Sequence, residues 1–224
     1  MARVWSIVVA AGSGRRFGQP KQYAVLAGRP VLEWAVEACR PFSDGVVLVA
    51  PANEDDPDRH GADTVVPGGA TRADSVRSGL AAVPADAEVI VVHDAARPLA
   101  SAGLFGAVIE AVTVGGADGA VPGVSVSDTI KVVDEARRVT RTLDRATLVA
   151  VQTPQAFRAA VLRKAHGATR DAAGEAVAVP TDDATMVEAV GGTVRVVDGE
   201  PENLKITTAA DLGTAERILV ARGT

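Results

Sequence analysis

The sequence predicts an open α/β fold, a three-layer sandwich in which a mostly parallel, Rossmann-like sheet lies between two layers of helices. Five valine-rich apolar runs have the length and composition of buried strands: Val4–Ala11, Val46–Ala50, Glu88–His93, Asp118–Val121 and Thr193–Val197. Three stretches between them have the apolar spacing of helices: Val31–Arg40, Arg72–Val83 and Ala102–Val114. Strands and helices that alternate in this way form right-handed crossovers between parallel strands. We expect a single domain over residues 1–224.

Each of these helices is preceded by a residue that favours a helix start, namely Pro30, Thr71 and Ser101. Proline has a backbone angle suited to the first turn, and the hydroxyls of threonine and serine accept hydrogen bonds from the free N–H groups there. In open sheets of this kind, ligands bind beyond the carboxyl ends of the strands, where the strand order reverses. The residues that follow the strands are therefore the candidates for a functional site.

The alternation of strands and helices is interrupted between Gly123 and Asp144. Two extended segments, Ser125–Val133 and Arg137–Leu143, flank a turn-like sequence at 134–136 and predict a β-hairpin. A two-stranded ribbon is only marginally stable by itself, so this hairpin is expected to pack on another surface. A second copy of the chain, in a homodimer, is the first candidate for that surface. The alternative is an unpartnered excursion of the surface.

Composition excludes several classes of function. The 224 residues are 47% hydrophobic but only 3% aromatic, which argues against a nucleic-acid platform of stacked rings. No apolar run reaches the roughly 20 residues of a membrane-spanning helix, and the N-terminus lacks the pattern of a signal peptide. We therefore expect a cytoplasmic protein without nucleic-acid or membrane partners. The single cysteine, Cys39, lies in an apolar helical stretch and is expected to pack there.

The first 32 residues carry an unusual charge. They contain Arg3, Arg15, Arg16, Lys21 and Arg29 and no acidic residue, although the whole chain carries a net charge of -5. A basic segment in an acidic protein indicates a local anion site, because a nucleic-acid-binding protein usually spreads its positive charge over a face.

The loop at residues 10–21 has the features of a triphosphate-binding loop. It is not a Walker A motif, because it lacks the Gly-Lys-Ser/Thr ending, and its glycine spacing differs from that of a dinucleotide-binding turn. Arg16 and Lys21 supply positive charge. A structural turn with solvated arginines is the alternative. Small residues in the loop allow backbone N–H groups to approach the phosphate oxygens and a base edge of a nucleotide. The small residues are Ala10, Ala11, Gly12 and Gly14.

Asp94 ends an apolar strand and is the natural candidate for a magnesium ligand. Mg²⁺ commonly takes one or two carboxylates plus phosphates and waters, so a single strand-end aspartate suffices. A helix-capping aspartate is the alternative. His93 beside it is assigned no chemical role. The stretch Gly68–Ser75 offers backbone donors near the same rim, while Thr71 and Asp74 also fit a capping box.

Together these polar segments resemble those of the 2-C-methyl-D-erythritol 4-phosphate cytidylyltransferase family, from residue 6 to about 217. The motifs that carry the resemblance are A-A-G-S-G-R-R-F-G at 10–18, P-K-Q-Y at 20–23, G-G-A-T-R-A-D-S-V at 68–76, H-D-A-A-R-P at 93–98, D-T-I-K at 128–131, D-R at 144–145, Q-T-P-Q at 152–155, T-D-D-A at 181–184 and N-L-K-I-T at 203–207. The resemblance implies a nucleotide-diphospho-sugar transferase fold and Mg²⁺ as the cofactor. It also implies CMP transfer from CTP to 2-C-methyl-D-erythritol 4-phosphate, with release of pyrophosphate, in non-mevalonate isoprenoid synthesis.

The resemblance implies a role for four cations. Arg16 and Lys21 correspond to groups that stabilise the charged transition state at the α-phosphorus, whereas Arg145 and Lys205 correspond to groups that orient the sugar phosphate. A phosphate monoester is already a competent nucleophile, so this chemistry needs charge neutralisation and no general base.

The resemblance implies further contacts and a partner. The hairpin at about 123–144 corresponds to an arm that completes the substrate pocket of a second subunit, which predicts a homodimer. Ala70 departs from the family pattern, in which a polar residue often lies beside the base. Contacts to the nucleotide are implied for Gly69, Ser75 and Ala95, and contacts to the substrate for Arg97, Thr129 and Thr153.

Three other functions are compatible with parts of the sequence. Ribitol-5-phosphate cytidylyltransferases share the fold, the loop and the metal site, but the second alanine of the motif at 93–98 suits the erythritol branch better. An NAD-dependent dehydrogenase would also alternate strands and helices, but the glycine spacing and Pro20 argue against it. An inactive nucleotide-binding regulator would be expected to lack Arg16, Lys21 or Lys205, and all three are present.

Overall fold

The computed structural model describes residues 2–12, 17, 20–52, 60–168 and 182–223. The strands in this part of the chain are β1 (Val4–Val9), β2 (Val25–Leu26), β3 (Arg29–Pro30), β4 (Gly45–Ala50), β5 (Thr64–Pro67), β6 (Val89–Asp94), β7 (Gly119–Ser125), β8 (Lys131–Val133), β9 (Val139–Thr142), β10 (Val149–Val151), β11 (Gln155–Arg158) and β12 (Val194–Asp198). The helices are α1 (Val31–Cys39), α2 (Arg72–Ala82), α3 (Ala102–Thr113), α4 (Ala159–Ala168), α5 (Asp183–Ala189) and α6 (Ala209–Arg222).

Eight strands form the main sheet, in the order β10-β7-β11-β6-β1-β4-β5, with β12 paired to β7. The pairs β1–β4, β1–β6, β4–β5 and β7–β12 are parallel. The strands β10 and β11 run antiparallel to their neighbours. All five predicted strands belong to this sheet, so the α/β class with a mostly parallel sheet is confirmed.

Helices cover both faces of the sheet. In β1, the side chain of Val8 packs with α1 and α3 on one face, whereas Ile7 packs with α2, α4 and α5 on the other. Both side chains are fully buried. A strand with two buried faces has no polar positions in its centre, which explains the near-continuous apolar runs of the sequence. The predicted three-layer sandwich is thus confirmed.

The C-terminal helix α6 packs outside these layers, in a third apolar cluster. Its residues Ala215 and Leu219 contact Leu26, Val31 and Ile206 in this cluster. The helix begins with a capping box, in which the Thr208 hydroxyl accepts from the backbone N–H of Asp211. This helix therefore packs against Leu204 and Ile206, in the segment just before it.

The hairpin predicted between Gly123 and Asp144 is present, but its strands are shorter than predicted. The antiparallel pair is β8 with β9, at Lys131–Val133 and Val139–Thr142, rather than Ser125–Val133 and Arg137–Leu143. The difference arises because Ser125 ends β7, where it pairs with β10 in the main sheet. Every residue of β8 and β9 is exposed. A role as an arm between subunits stays a prediction.

Candidate nucleotide and metal site

The carboxyl ends of β1 and β6 lie side by side, with Val9 opposite Asp94. From β1 the chain proceeds to β4 and β5 on one side and then returns to β6 on the other, so the strand order reverses between β1 and β6. This is the point at which an open α/β sheet usually binds its ligand. A cavity of about 460 Å³ lies there, which is within the usual size range for small-molecule sites.

The cavity wall brings together predicted site residues from distant parts of the chain. Gly14 and Arg16, which were also predicted, lie outside the described residues. The wall also contains Arg72, which the sequence analysis did not assign to the site. The predicted residues on the wall are Ala10, Ala11, Gly12, Lys21, Gly69, Ser75, Asp94, Ala95 and Lys205.

Two cations contact the carboxylate of Asp94 at the centre of this wall. Lys205 Nζ donates to Oδ2 at 2.6 Å, and Arg72 Nε donates to Oδ1 at 3.3 Å. Burial raises the pKa of this carboxyl group, but the positive charges of Arg72 and Lys205 outweigh burial and hold the pKa well below its usual range. Asp94 is therefore ionised at neutral pH.

Behind Asp94, a row of hydrogen bonds joins β6 to the segment before β11. The Thr153 hydroxyl accepts from the backbone N–H of Asp94 at 3.0 Å and lies 3.2 Å from His93 Nδ1. His93 Nε2 lies 3.1 Å from the carbonyl oxygen of Arg97. Because a carbonyl only accepts, Nε2 carries the proton and Nδ1 accepts from the threonine. Burial lowers the pKa of His93 to about 4, so its ring is neutral at pH 7.

Buried amides hold the segment that carries Lys205. Asn203 is fully buried, and its Nδ2 donates to Gln152 Oε1 at 3.2 Å and to the Thr153 carbonyl oxygen at 3.0 Å. Gln152 Nε2 donates in turn to the carbonyl oxygen of Glu200 at 2.8 Å. These contacts explain why amide residues occur in the motifs at 152–155 and 203–207, to which no position-specific reason was assigned from the sequence.

The same segment contacts Lys21. Lys21 Nζ donates to the carbonyl oxygen of Ile206 at 2.8 Å, and the backbone N–H of Ile206 donates to the carbonyl oxygen of Ala96 at 2.8 Å. Lys21 and Lys205 are 184 positions apart in the sequence. They lie on one cavity wall because Lys21 contacts the backbone segment that carries Lys205.

Glycines of the cavity rim serve two different purposes. A Cβ atom on Gly68 would lie 2.1 Å from the Cβ of Ala11, and one on Gly69 would lie 2.3 Å from the Cβ of Asp74. These two glycines allow the rim segments to pack closely. In contrast, a Cβ on Gly12 would meet no atom of the described residues within 4 Å. The space above Gly12 belongs to the cavity, where a small residue lets a ligand approach the backbone.

A family model identifies the family to which the chain belongs. The model of IspD, 2-C-methyl-D-erythritol 4-phosphate cytidylyltransferase, matches residues 4–221. The chain belongs to this family. As a family member it is a cytidylyltransferase, and hence a nucleotidyltransferase, so the resemblance seen in the sequence motifs is confirmed.

Individual relatives agree with this assignment. The 2-C-methyl-D-erythritol 4-phosphate cytidylyltransferase of Rubrobacter xylanophilus is 42% identical over 230 residues, which cover 99% of this chain and 97% of the relative. The bifunctional enzyme IspD/IspF of Anaeromyxobacter dehalogenans is 44% identical, but the chain spans only 58% of its length. The crystal structure of the Thermus thermophilus cytidylyltransferase has a TM-score of 0.80 at 34% identity, covering 95% of this chain and 97% of that chain.

The site fits a magnesium ion that is held largely by substrate phosphates. Asp94 is ionised, and its side chain, 11% exposed, lines the cavity. The described ranges contain no group of three or more His, Cys, Asp and Glu side chains that would hold a metal ion without a substrate. Magnesium does not need such a group, because one or two carboxylates with phosphates and waters complete its shell. Asp94 as the metal ligand stays a prediction.

Four predicted residues lie away from the cavity wall. Thr153 is buried behind Asp94, as described above. Arg97 donates to the carbonyl oxygen of Asn203 at 2.6 Å. Thr129 and Arg145 are exposed on either side of the hairpin, and Arg145 donates to the carbonyl oxygen of Ser127. Within one chain, the cavity therefore does not include Thr129 or Arg145.

A network behind the cavity wall joins residues that were not predicted as site residues from the sequence. Arg72 NH1 donates to Asp183 Oδ2 at 2.7 Å, and His166 Nε2 lies 2.8 Å from Asp183 Oδ1. Burial raises the pKa of Asp183, but the hydrogen bond from His166 and the charge of Arg72 outweigh burial and lower it. The available signal was the T-D-D-A motif at 181–184, which does not reveal its spatial partners. Thr181 of that motif lies outside the described residues.

Proposed function

We propose that the chain transfers CMP from CTP to 2-C-methyl-D-erythritol 4-phosphate, giving 4-diphosphocytidyl-2-C-methyl-D-erythritol and pyrophosphate in non-mevalonate isoprenoid biosynthesis. The observation that carries this proposal is membership of the cytidylyltransferase family over residues 4–221. The cavity supports it, because Lys21, Lys205 and Asp94 lie together at the carboxyl ends of β1 and β6.

The reaction joins two anions, and charge neutralisation is therefore the main task of the chain. An oxygen of the sugar phosphate attacks the α-phosphorus of CTP, and the bond from that phosphorus to the oxygen of the leaving pyrophosphate breaks. The attacking phosphate is already ionised, so no residue has to remove a proton. Lys21 and Lys205 lie on the cavity wall, and each well-placed charge stabilises such a transition state by on the order of 3 kcal/mol.

Magnesium is the proposed cofactor, with Asp94 as its ligand from the chain. When bound, the ion neutralises phosphate charge and aligns the triphosphate. Arg16 is the further proposed transition-state cation, by its place in the loop motif at 10–18. The nucleotide contacts proposed for Ala10, Gly12 and Ser75 are consistent with their positions on the cavity wall.

The second subunit is proposed to complete the sugar-phosphate site through the hairpin arm at about 123–144. Thr129 and Arg145 lie on exposed surface beside this hairpin, away from their own cavity. The hairpin also exposes apolar side chains, with Val133 49% and Val139 59% exposed. Exposed apolar residues on a short ribbon favour burial against a partner. A homodimer would thus place both residues where a substrate can meet them.

We propose a cytoplasmic location, because CTP is supplied in the cytoplasm. Among the described residues, no helix is both long and apolar enough to cross a membrane. No nucleic-acid or membrane partner is proposed, since the chain is acidic and contains only 3% aromatic residues.

Release of pyrophosphate from CTP tests this function. The purified chain is incubated with CTP and magnesium, and with either 2-C-methyl-D-erythritol 4-phosphate or ribitol 5-phosphate. We expect pyrophosphate with the erythritol phosphate, and none after the metal is removed with EDTA. Preference for ribitol 5-phosphate would replace the proposed substrate. Tight binding of NAD without any binding of CTP would instead support a dehydrogenase.

A further inference from the structure

A buried carboxylate that takes no part in the proposed chemistry lies behind the cavity. Asp183 is the first residue of α5, and its side chain is fully buried. Its two carboxylate oxygens have different partners, His166 of α4 at 2.8 Å and Arg72 of α2 at 2.7 Å. Three helices on one face of the sheet therefore meet at this carboxylate.

Stability alone is a weak reason for such an arrangement. Removing a charged group from water costs several kcal/mol, and a buried ion pair is often no more stabilising than apolar residues of similar volume. A buried charge is more readily explained where it determines the position of another group. The group that Asp183 contacts on the cavity side is Arg72, whose side chain is 29% exposed and lines the cavity.

The guanidinium of Arg72 connects the two carboxylates. Its NH1 atom donates to Asp183 at 2.7 Å, and its Nε atom donates to Asp94 at 3.3 Å. A guanidinium is planar and its donors have fixed relative directions, so a short contact at one nitrogen determines where the others point. The shorter contact is the one to the buried carboxylate. Asp183 thus determines how Arg72 meets Asp94.

We propose that Asp183 is a positioning residue for the nucleotide site: supported by His166, it holds Arg72 so that this arginine orients Asp94 and presents a fixed positive charge to the triphosphate. Without Asp183, Arg72 would pair with Asp94 alone or turn towards solvent. Either change would alter the charge that a bound triphosphate meets. The inference rests on the proposed function only for the identity of the nucleotide, CTP.

A double-mutant cycle tests whether Asp183 acts through Arg72. The dissociation constant of CTP with magnesium is measured by calorimetry for the full chain and for Asp183→Asn, Arg72→Met and the double variant. We expect each single variant to weaken CTP binding by roughly tenfold, and the second substitution to add less than about twofold to the first. Additive losses, or Asp183→Asn with unchanged CTP binding, would overturn the proposal.

A matched control separates positioning from loss of stability. Asp118 Oδ2 accepts from the backbone N–H of Thr193, and its Oδ1 lies 3.9 Å from Arg158 Nε. This residue immediately precedes β7 and hence lies at the opposite end of the sheet. Asp118→Asn is expected to lower the thermal midpoint without changing CTP binding. If Asp118→Asn weakens CTP binding as much as Asp183→Asn does, general destabilisation explains both variants and the proposal is wrong.

A second variant keeps the proposal testable if Asp183→Asn does not fold. Arg72→Lys retains the charge but lacks the planar set of donors that reaches both carboxylates. We expect CTP binding close to that of Arg72→Met, whereas wild-type binding by Arg72→Lys would contradict the proposal. In the same series, wild-type pyrophosphate release is measured. If the wild-type chain binds CTP but does not turn over the sugar phosphate, the proposed function is wrong. The double-mutant cycle on CTP binding would still test the role of Asp183.

Discussion

The cavity at the ends of β1 and β6 and the hairpin of β8 and β9 carry two halves of the predicted site, and they are built differently. All six residues of β6 are buried, and its last residue, Asp94, has charged partners from two other segments. Every residue of β8 and β9 is exposed. The core of the chain positions the cavity residues, whereas the hairpin residues lie exposed and are proposed to act against a second subunit. Three experiments test this difference, and two more examine the cavity side alone.

The largest effect is expected in the cavity. Lys21→Ala and Lys205→Met should each lower kcat by on the order of 10²- to 10³-fold, because each removes a charge from the wall that faces the transition state. For Lys21→Ala, the KM for CTP should change far less than kcat. Steady-state pyrophosphate release measures both constants, with the exposed Lys164→Ala in α4 as a control that retains wild-type rates. A change in KM alone would make Lys21 a ground-state binding group.

The hairpin should act across the subunit boundary. Arg145→Ala should raise the KM for the sugar phosphate by roughly tenfold or more while CTP binding remains normal, because Arg145 lies away from the cavity of its own chain. An unchanged KM would remove Arg145 from that site.

Mixing two variants sharpens this test. Arg145→Ala and Lys205→Met, each impaired alone, should regain up to about a quarter of wild-type activity after subunit exchange, because half of the dimers are then mixed and each has one intact site. Size-exclusion chromatography checks that the variants are dimers. If the mixture shows no gain, Arg145 acts within its own chain or the arm does not complete the site.

A smaller effect concerns acid stability behind the cavity. Burial lowers the pKa of His93 to about 4 from the 6.5 of an exposed histidine, so between these pH values the unfolded chain binds a proton that the folded chain does not. Stability should therefore decrease as pH falls from 6.5 to 4, by up to about 3 kcal/mol. Urea unfolding at several pH values measures this, and His93→Gln should flatten the slope. The carboxylates with lowered pKa values stabilise the fold at higher pH, and most of this stabilisation is lost only as the pH falls below about 4.

Alanine substitutions at Gly68 and Gly12 should have different effects, one on the stability of the fold and the other on CTP binding. Gly68→Ala places a Cβ 2.1 Å from the Cβ of Ala11 and should destabilise the fold by about 1–3 kcal/mol through overpacking. A Cβ at Gly12 would meet no atom of the described residues within 4 Å, so for Gly12→Ala thermal unfolding should be nearly unchanged while CTP binding weakens. Equal loss of stability in both variants would show that Gly12 also has a packing role.

Local sequence signals predicted the five central strands and the helices α1, α2 and α3, but not α4, α5 or α6. Apolar runs identified the central strands, and Thr71 caps α2 together with Asp74 in the capping box that was expected. The strands β10 and β11 were missed because they are only three and four residues long and lie around the polar motif at 152–155. Their pairing depends on long-range partners in β6 and β7 rather than on their own periodicity.

The sequence by itself determined the α/β class and the family, because these depend on composition, spacing and local motifs. Only the tertiary structure decided which residues meet. Lys21 and Lys205 lie on one cavity wall, because Lys21 donates to the carbonyl oxygen of Ile206, the residue after Lys205. Arg145 lies away from that wall. Arg72, His166 and Asp183 form a buried network. The physical reason is that such contacts depend on the crossing of distant segments, whereas strand periodicity and helix caps depend on neighbours along the chain.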